Sequence, residues 1–234
     1  YSLIEKKFWK IFKKNSITSF NGVPYTYEIL RKIGLKNIKI KTLKYLTHAG
    51  GKLEKEDLKE IINFCKKNNL KFFSMYGQTE ASPRISYLKP EYSKKKLGSI
   101  GKGIPGNKIY IVDDNEKKIL EPFKEGEIVC EGKNVFMGYS KNSSDLIDSN
   151  KQNYKLNTGD LGYFDEDGFF YITSRKSKIA KIFGNRVDLG ALENLMKKKS
   201  YKIACLSDDK KIFIFIENIY NKKSLIDCIS KITN

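Results

Sequence analysis

The residues with the clearest chemical potential lie at positions 76–81, which read YGQTEA. An apolar run, residues 70–76, stops there, and Tyr76 is followed by Gly77, a hydroxyl at Thr79 and a carboxylate at Glu80. A plain surface turn does not need an aromatic ring, a glycine, a hydroxyl and an acid together. The set is suited to holding a small ligand, if the surrounding elements place it correctly.

Residues 42–76 read as a strand–helix–strand unit. The first strand ends at the turn Gly50-Gly51, and the helix after it carries apolar residues at i, i+3, i+4 and i+7 from Leu58. Two strands joined by a helix pair in parallel by default. Because ligands of open α/β sheets bind at the carboxyl ends of the strands, both glycine-bearing turns are predicted to lie at a ligand site.

One helix, one strand and a second helix are expected before this unit. Ile4, Phe8, Ile11 and Phe12 fall on one helical face. A strand, a Gly-Pro turn and a short helix closed by Gly34 follow.

The whole chain is predicted to be α/β with a β-rich subdomain. Residues 1–97 form the α/β part, whereas short strands joined by Asp/Asn/Gly turns predict antiparallel hairpins in 98–173. A helix with its apolar spacing starting at Leu189, followed by a hairpin, indicates that 174–234 opens a small α+β domain. The linker is expected at 174–178.

Composition excludes some functions. With 40% hydrophobic and 12% aromatic residues the chain can bury a core. It has no run of about 18 apolar residues to span a membrane, and we identify no signal peptide. The net charge of +18 suggests nucleic acid, but only four of the 45 basic residues are arginine and the lysines are spread out, so no nucleic-acid partner is predicted.

The cysteines show no CxxC spacing, and most lie in apolar runs, which predicts reduced core thiols in a cytoplasmic protein. The single histidine, His48, has no cysteine nearby, so neither a metal site nor a Ser–His pair is favoured there. The four cysteines are Cys65, Cys130, Cys205 and Cys228.

Residues 101–106 match GxGxxG, the dinucleotide fingerprint, which requires a strand before it and a helix after it. Here a proline interrupts the loop and a strand is predicted at 108–112. We therefore reject a dinucleotide site.

A series of motifs, in order, resembles the AMP-forming (adenylate-forming) enzymes: acyl- and aryl-CoA synthetases, luciferases and the adenylation domains of peptide synthetases. The likeness runs from about residue 15 to the end, and it implies a partial large domain, incomplete at its N-terminus, followed by the start of a small C-terminal domain. The motifs are AGGKL (49–53), YGQTEA (76–81), GSIGKGIPG (98–106), GEIVCEG with FMGY (126–139), NTGDLGYFDEDGFFYI (157–172) and SRKSKIAKIFGNRVDLGALE (174–193).

The resemblance implies roles for the first motifs. Tyr76, followed by Gly77, would stack on adenine, Thr79 would bind the phosphate, and Glu80 would hold Mg²⁺ on the nucleotide. The Gly50-Gly51 turn would line the adenine and acyl pockets. Taken alone, Tyr76 reads more simply as a core aromatic and Glu80 as a solvated turn acid.

The later motifs imply contacts to the rest of the ligand. Asp160 would accept hydrogen bonds from the ribose hydroxyls, Arg175 would also reach the ribose, and Gly184 would border the pantetheine tunnel. Lys181 matches a motif lysine, although an exposed lysine is the simpler interpretation, as a turn glycine is for Gly184. Glu80 and Asp160 are predicted to converge on one bound nucleotide.

The implied reaction joins a small carboxylic acid to AMP, using ATP and Mg²⁺, and then transfers the acyl group to a thiol of CoA or of a carrier pantetheine. The family's phosphate loop would precede Tyr1 and its adenylation lysine would follow Asn234, so the 234 residues are not expected to adenylate efficiently alone. We interpret the chain as part of a longer synthetase, with the N-terminal half missing. The alternatives are a degenerate nucleotide-binding fragment and a lysine-rich nucleic-acid protein.

Two local departures from the family pattern concern the linker. Ser177 replaces the hinge aspartate, and Ala180 replaces a bulky residue before Lys181. A serine can still absorb the backbone rotation of a hinge.

Overall fold

The computed structural model describes residues 2–35, 41–146, 153–182, 185–208 and 211–217. The chain divides into two compact units, each described by itself below. The first contains Tyr1–Thr158 and Gly162–Ile172, and the second Gly159–Leu161 and Thr173–Asn234. Among the described residues, no helix has both the length and the apolar character needed to cross a membrane.

The first unit opens with a five-stranded sheet in the order β1-β2-β3-β4-β5. The first three strands are parallel, as predicted for β2 and β3, and the last two are antiparallel. The elements are α1 (Lys6–Lys14), β1 (Ser19–Gly22), α2 (Pro24–Ile33), β2 (Tyr45–His48), α3 (Lys55–Lys67), β3 (Lys71–Tyr76), β4 (Ser86–Leu88) and β5 (Lys102–Gly103).

Helices α2 and α3 pack on one face of this sheet, where Phe20, Leu46 and Phe72 are buried with residues of both helices. The face predicted for α1 is wrong in part. Phe12 is buried, but Ile11 is 39% exposed and Ile4, which precedes the helix, is 70% exposed. The cause is an aromatic cluster. Phe12 packs with Phe8 and Trp9 against β1, and this packing orients the helix so that both isoleucines face outward.

The predicted antiparallel β-rich region is confirmed. Its five strands lie in the order β10-β9-β8-β6-β7, and β6 pairs antiparallel with both of its neighbours. The strands are β6 (Lys108–Val112), β7 (Lys118–Ile119), β8 (Gly126–Glu131), β9 (Lys155–Phe164) and β10 (Phe170–Arg175).

The GxGxxG stretch contains β5 and is followed by β6, which confirms the predicted strand at 108–112 in place of the helix that a dinucleotide fingerprint requires. Its first glycine, Gly101, has φ +80°, and a Cβ there would lie 1.9 Å from the carbonyl oxygen of Tyr87. The glycine is explained by this close approach of two backbones.

The second unit contains two hairpins around one helix. Helix α4 buries Leu189, Leu192 and Met196, as its spacing predicts, and Asp188 caps it by accepting a hydrogen bond from the backbone N–H of Ala191 at 2.9 Å. Both hairpins are antiparallel. The elements are β11 (Ile179–Ile182), β12 (Asn185–Asp188), α4 (Leu189–Lys198), β13 (Ile203–Ser207) and β14 (Ile212–Ile216).

Cys65, Cys130 and Cys205 are free and buried, which confirms the prediction for these three. Cys228 lies outside the described residues, as does the helix predicted near the end of the chain. The predicted limits of the domains, including the hinge at 174–178, stay predictions.

Candidate functional site

A tight loop follows β3 and carries the first group of predicted site residues. After Tyr76 the chain passes Gly77 and forms one turn of 3-10 helix, Thr79–Ala81. A Cβ on Gly77 would lie 2.0 Å from the carbonyl oxygen of Pro83, so the loop can close on itself only with glycine at this position.

The backbone of this loop is held by a segment some fifty residues further along the chain. The side-chain amide of Asn134 donates to the carbonyls of Ala81 and Arg84, both at 2.8 Å. Ser82 donates from its hydroxyl to the Asn134 carbonyl at 2.9 Å, and Phe136 donates from its N–H to the Glu80 carbonyl at 2.8 Å. These four bonds fix the backbone that carries Glu80.

The Glu80 side chain has a specific partner. The hydroxyl of Tyr139 donates to Oε1 of Glu80. Although Tyr139 is 72% exposed, its ring packs edge-on against Phe136 with centroids 5.0 Å apart. The hydrogen bond to Glu80, together with partial desolvation, raises the pKa of the Tyr139 hydroxyl.

Glu80 opens into a cleft of about 490 Å³ within the first unit. Lys155 lines it and forms an ion pair with Glu116 at 3.3 Å. Gln78 lines it too, and its amide approaches the Thr158 carbonyl at 3.5 Å. The cleft therefore brings two carboxylates, Glu80 and Glu116, together with an ammonium and an amide at one concave surface, a set that can bind phosphate and a hard cation.

The other predicted site residues at this edge of the sheet are uncharged. Tyr76 is 8% exposed and packs with Ala81 and Ile85 in the second hydrophobic cluster, whereas Thr79 is exposed. The Gly50-Gly51 turn follows β2, the parallel neighbour of β3, and so lies at the same edge. The assignment of these residues to adenine and phosphate stays a prediction.

His48, at the end of β2, is a buried histidine with an unusual environment. It is 4% exposed, and within the described part of the chain neither ring nitrogen has a hydrogen-bond partner. Its ring contacts the edge of Tyr27, with centroids 5.9 Å apart. Burial lowers the pKa of His48 to about 4, so it is neutral at pH 7.

The second unit holds the other predicted pair. Arg175 donates from Nε to Oδ1 of Asp160 at 2.8 Å. The Asp160 side chain is 6% exposed and the Arg175 side chain 64% exposed. The structure thus brings these two residues together. Their contact to a ribose, and the convergence of Asp160 with Glu80, stay predictions.

Of the two remaining predicted residues, the structure places only one. Lys181 lies on β11, opposite Arg186 in the pairing register. Gly184 lies outside the described residues.

The side chains of the cleft fit a cation that is held partly by the phosphates of a bound ligand. In the described residues, no three His, Cys, Asp or Glu side chains come together as a metal cage. Mg²⁺ is commonly held by one or two carboxylates together with substrate phosphates and water. Glu80, at the wall of an open cleft, can supply one such carboxylate.

Sequence reasoning missed Asn134, Tyr139 and Lys155. Tyr139 lies inside a motif that the sequence analysis quoted, but nothing local indicates that its hydroxyl reaches Glu80, which is 59 positions earlier. Asn134 stands in a run of turn-forming residues and reads as an ordinary turn residue. Only the pairing of distant segments reveals either role.

Comparison with known proteins finds three matches to the sequence of this chain. A model of the AMP-binding enzyme family matches residues 2–140. The 2-succinylbenzoate–CoA ligase of Bacillus subtilis (strain 168) is 35% identical over 136 residues, which are 58% of this chain and 27% of the ligase. The ligase of the same name from Bacillus licheniformis is 39% identical over 119 residues, which are 51% of this chain and 24% of the ligase.

Solved structures show a likeness to the same kind of ligase. The unliganded O-succinylbenzoate coenzyme A synthetase of Bacillus subtilis superposes with a TM-score of 0.74 at 26% identity, covering 99% of this chain and 50% of that chain. The same enzyme in complex with ATP and a magnesium ion gives a TM-score of 0.74 at 25% identity, covering 99% and 48%. The chain spans about a quarter of the curated ligases and about half of the solved chains.

Proposed function

The chain belongs to the AMP-binding enzyme family, and from this premise we propose that it is part of a ligase that activates a carboxylic acid with ATP. The acid would be joined to AMP with release of pyrophosphate. A thiol, of CoA or of a carrier pantetheine, would then take the acyl group and release AMP. The curated relatives named above are CoA ligases, which supports CoA as the acceptor.

The observation that carries the proposal is the position of Glu80. A carboxylate is fixed at the carboxyl end of β3, on a loop that only a glycine allows, and it faces a cleft that also contains Lys155. Residue 80 lies within the range matched by the family model. A solvated turn acid would not need a loop fixed by distant hydrogen bonds or an open concave surface beside it.

Each residue then has a defined task in the proposed reaction. Glu80 would hold Mg²⁺, which supplies charge neutralisation when the carboxylate of the acid approaches the triphosphate. Thr79, exposed beside Glu80, would donate to a phosphate oxygen, and Tyr76 with Gly77 and the Gly50-Gly51 turn would bound the adenine.

In the second unit, Asp160 would accept from the ribose hydroxyls while Arg175 keeps its carboxylate oriented. Gly184 is proposed to border the pantetheine tunnel, and Lys181 is proposed to contribute to cofactor binding. A cytoplasmic location, where the described cysteines stay reduced, completes the proposal.

For the 234-residue chain alone we propose nucleotide binding with little turnover. Neither the family's phosphate loop nor its adenylation lysine is identified among these residues. Binding and turnover therefore need separate tests.

The decisive experiment is AMP binding by calorimetry, with the chain as it stands, for the wild type and for Asp160→Ala and Glu80→Ala. We expect Asp160→Ala to abolish AMP binding and Glu80→Ala to leave metal-free AMP binding nearly unchanged. Wild-type protein that is folded but binds no AMP would contradict the proposal. A fluorescein-labelled DNA duplex at low salt serves as the comparison ligand, since tight, steeply salt-dependent DNA binding would favour a nucleic-acid role instead.

Turnover is measured on the longer protein by acid-dependent ATP–pyrophosphate exchange. A panel of carboxylates should start with 2-succinylbenzoate, because the curated relatives are named for it. CoA and a phosphopantetheinylated carrier domain, offered in parallel, distinguish the two acceptors.

A further inference from the structure

We propose that Tyr139 is the positioning residue for the Glu80 carboxylate and thereby sets the affinity of the site for its divalent cation. The inference rests on the proposed function. It concerns a residue for which sequence reasoning gave no role.

The backbone and the side chain of Glu80 are held by the same short segment. Asn134 and Phe136 fix the backbone of the loop through their hydrogen bonds to Ala81, Arg84 and Glu80. The remaining freedom lies in the rotatable bonds of the glutamate side chain, whose ordering costs conformational entropy. Tyr139 removes that freedom by donating its hydroxyl to Oε1.

The tyrosine itself is well placed for this task. Its ring rests edge-on against Phe136, so the donor is anchored to the segment that holds the loop. A carboxylate has about four acceptor positions, so accepting one phenol hydrogen bond leaves capacity for a cation. Both residues line the same cleft, so the bond lies where the cation and the phosphates would enter.

The exposure of Tyr139 argues against a mainly structural role. At 72% exposed it contributes little buried area, and changing it to phenylalanine removes one hydroxyl without opening a cavity. Outer residues that orient a metal-binding carboxylate typically change metal affinity by about 10- to 100-fold when they are removed. We expect a loss in that range.

The probe is Mn²⁺, followed by electron paramagnetic resonance as it binds to the chain in the presence of ATP. A parallel calorimetric titration with AMP, free of any cation, measures the nucleotide site alone. The variants are Tyr139→Phe, Glu80→Gln, the double variant, and the control Tyr25→Phe. Tyr25 lies in α2, is 66% exposed and undergoes the identical change of one hydroxyl.

We expect Tyr139→Phe to weaken Mn²⁺ binding about 10- to 100-fold while its AMP affinity and its unfolding midpoint equal those of Tyr25→Phe. Glu80→Gln should remove the Mn²⁺ signal, and adding Tyr139→Phe to it should change nothing further, because the two residues act as one unit.

Unchanged Mn²⁺ affinity in Tyr139→Phe would overturn the inference, and so would an equal loss of AMP and Mn²⁺ affinity, which indicates a general structural effect. If the folded wild type binds no AMP, the nucleotide site itself is refuted and the inference falls with it. The cation-free titration separates that outcome from a failure of Tyr139 alone.

Discussion

The two acids proposed to hold the nucleotide are positioned in different ways. Glu80 sits on a loop that is fixed by four hydrogen bonds, three accepted from and one donated to residues that lie far away in the sequence. Asp160 sits inside β9, where the strand ladder itself fixes the backbone, and only its side chain needs a partner, Arg175. Glu80 should therefore be sensitive to changes in its supports, and Asp160 should tolerate them.

The strongest test of this difference is Gly77→Ala. The new methyl would meet the Pro83 carbonyl at 2.0 Å, so the loop must open, and we expect a loss of about 4 kcal/mol. Urea unfolding measures it. Gly98→Ala is the control, because Gly98 has φ +84° but nothing within 4 Å of its Cβ position, so it should cost only about 1 to 2 kcal/mol. Gly77 does not have a positive φ, so equal losses would show that the collision with Pro83 costs no more than the backbone strain at Gly98.

His48 adds a third polar side chain to the comparison of Glu80 with Asp160. It is buried at the same edge of the sheet as the Glu80 loop, and neither ring nitrogen has a hydrogen-bond partner among the described residues. Its pKa falls from 6.5 to about 4 on folding. The unfolded chain therefore binds the proton more readily, and stability that is complete at pH 7 is lost as the pH falls through 6.5 toward 4.

The expected loss is about 3 kcal/mol, since each pKa unit is worth about 1.4 kcal/mol. Urea unfolding at pH 7.0 and 4.5 measures most of it. The free energy of unfolding of His48→Phe should therefore change less between these two pH values, by about the amount attributed to His48. An identical pH dependence in both proteins would mean that His48 does not titrate as its burial predicts.

Asn134→Ala tests the distant support of the Glu80 loop. The carbonyls of Ala81 and Arg84 each lose the Asn134 amide, although Ala81 still accepts from the Arg84 N–H, and the change should cost about 2 kcal/mol. Asn107→Ala is the comparison, because its amide only approaches the Arg84 carbonyl at 3.5 Å. Calorimetric unfolding of both variants should rank Asn134→Ala as the less stable.

The smallest effect on stability is expected for Arg175→Ala. The Arg175 side chain is 64% exposed, so its ion pair with Asp160 contributes less than about 1 kcal/mol. If Arg175 serves the ribose, AMP affinity should nevertheless fall. A loss of stability as large as that of Asn134→Ala would contradict the contrast drawn between the two acids.

The sequence predicted the elements well where a local period exists. The helical spacing in α3 and α4 and the turn residues of the β-rich region led to the observed order of elements. The prediction of the inward face of α1 was wrong in part, because the contact of Phe12 with Phe20, which lies outside the helix, sets the rotation of the helix.

The support of the site could not be predicted for the same reason. Asn134 and Tyr139 act on residues more than fifty positions away, and no spacing rule connects them. The stretch DEDG (165–168) is one of the Asp/Gly turns predicted in the β-rich region, and it does form a turn. Yet Asp165 within it is buried and paired with Lys96 at 2.8 Å. Burial raises the pKa of Asp165, but hydrogen bonds from Lys96, the Phe169 N–H and Tyr171 outweigh it and lower that pKa overall.

The buried cysteines provide a built-in set of unfolding reporters. Each of the three hydrophobic clusters contains one free thiol: Cys65 in the α/β part, Cys130 in the β-rich part and Cys205 in the second unit. Burial raises the pKa of Cys65 to about 12 and that of Cys130 to about 11, so neither reacts until its cluster opens. With Cys228 replaced by serine, pulse labelling followed by peptide mass mapping would time the opening of each cluster separately, without any inserted probe.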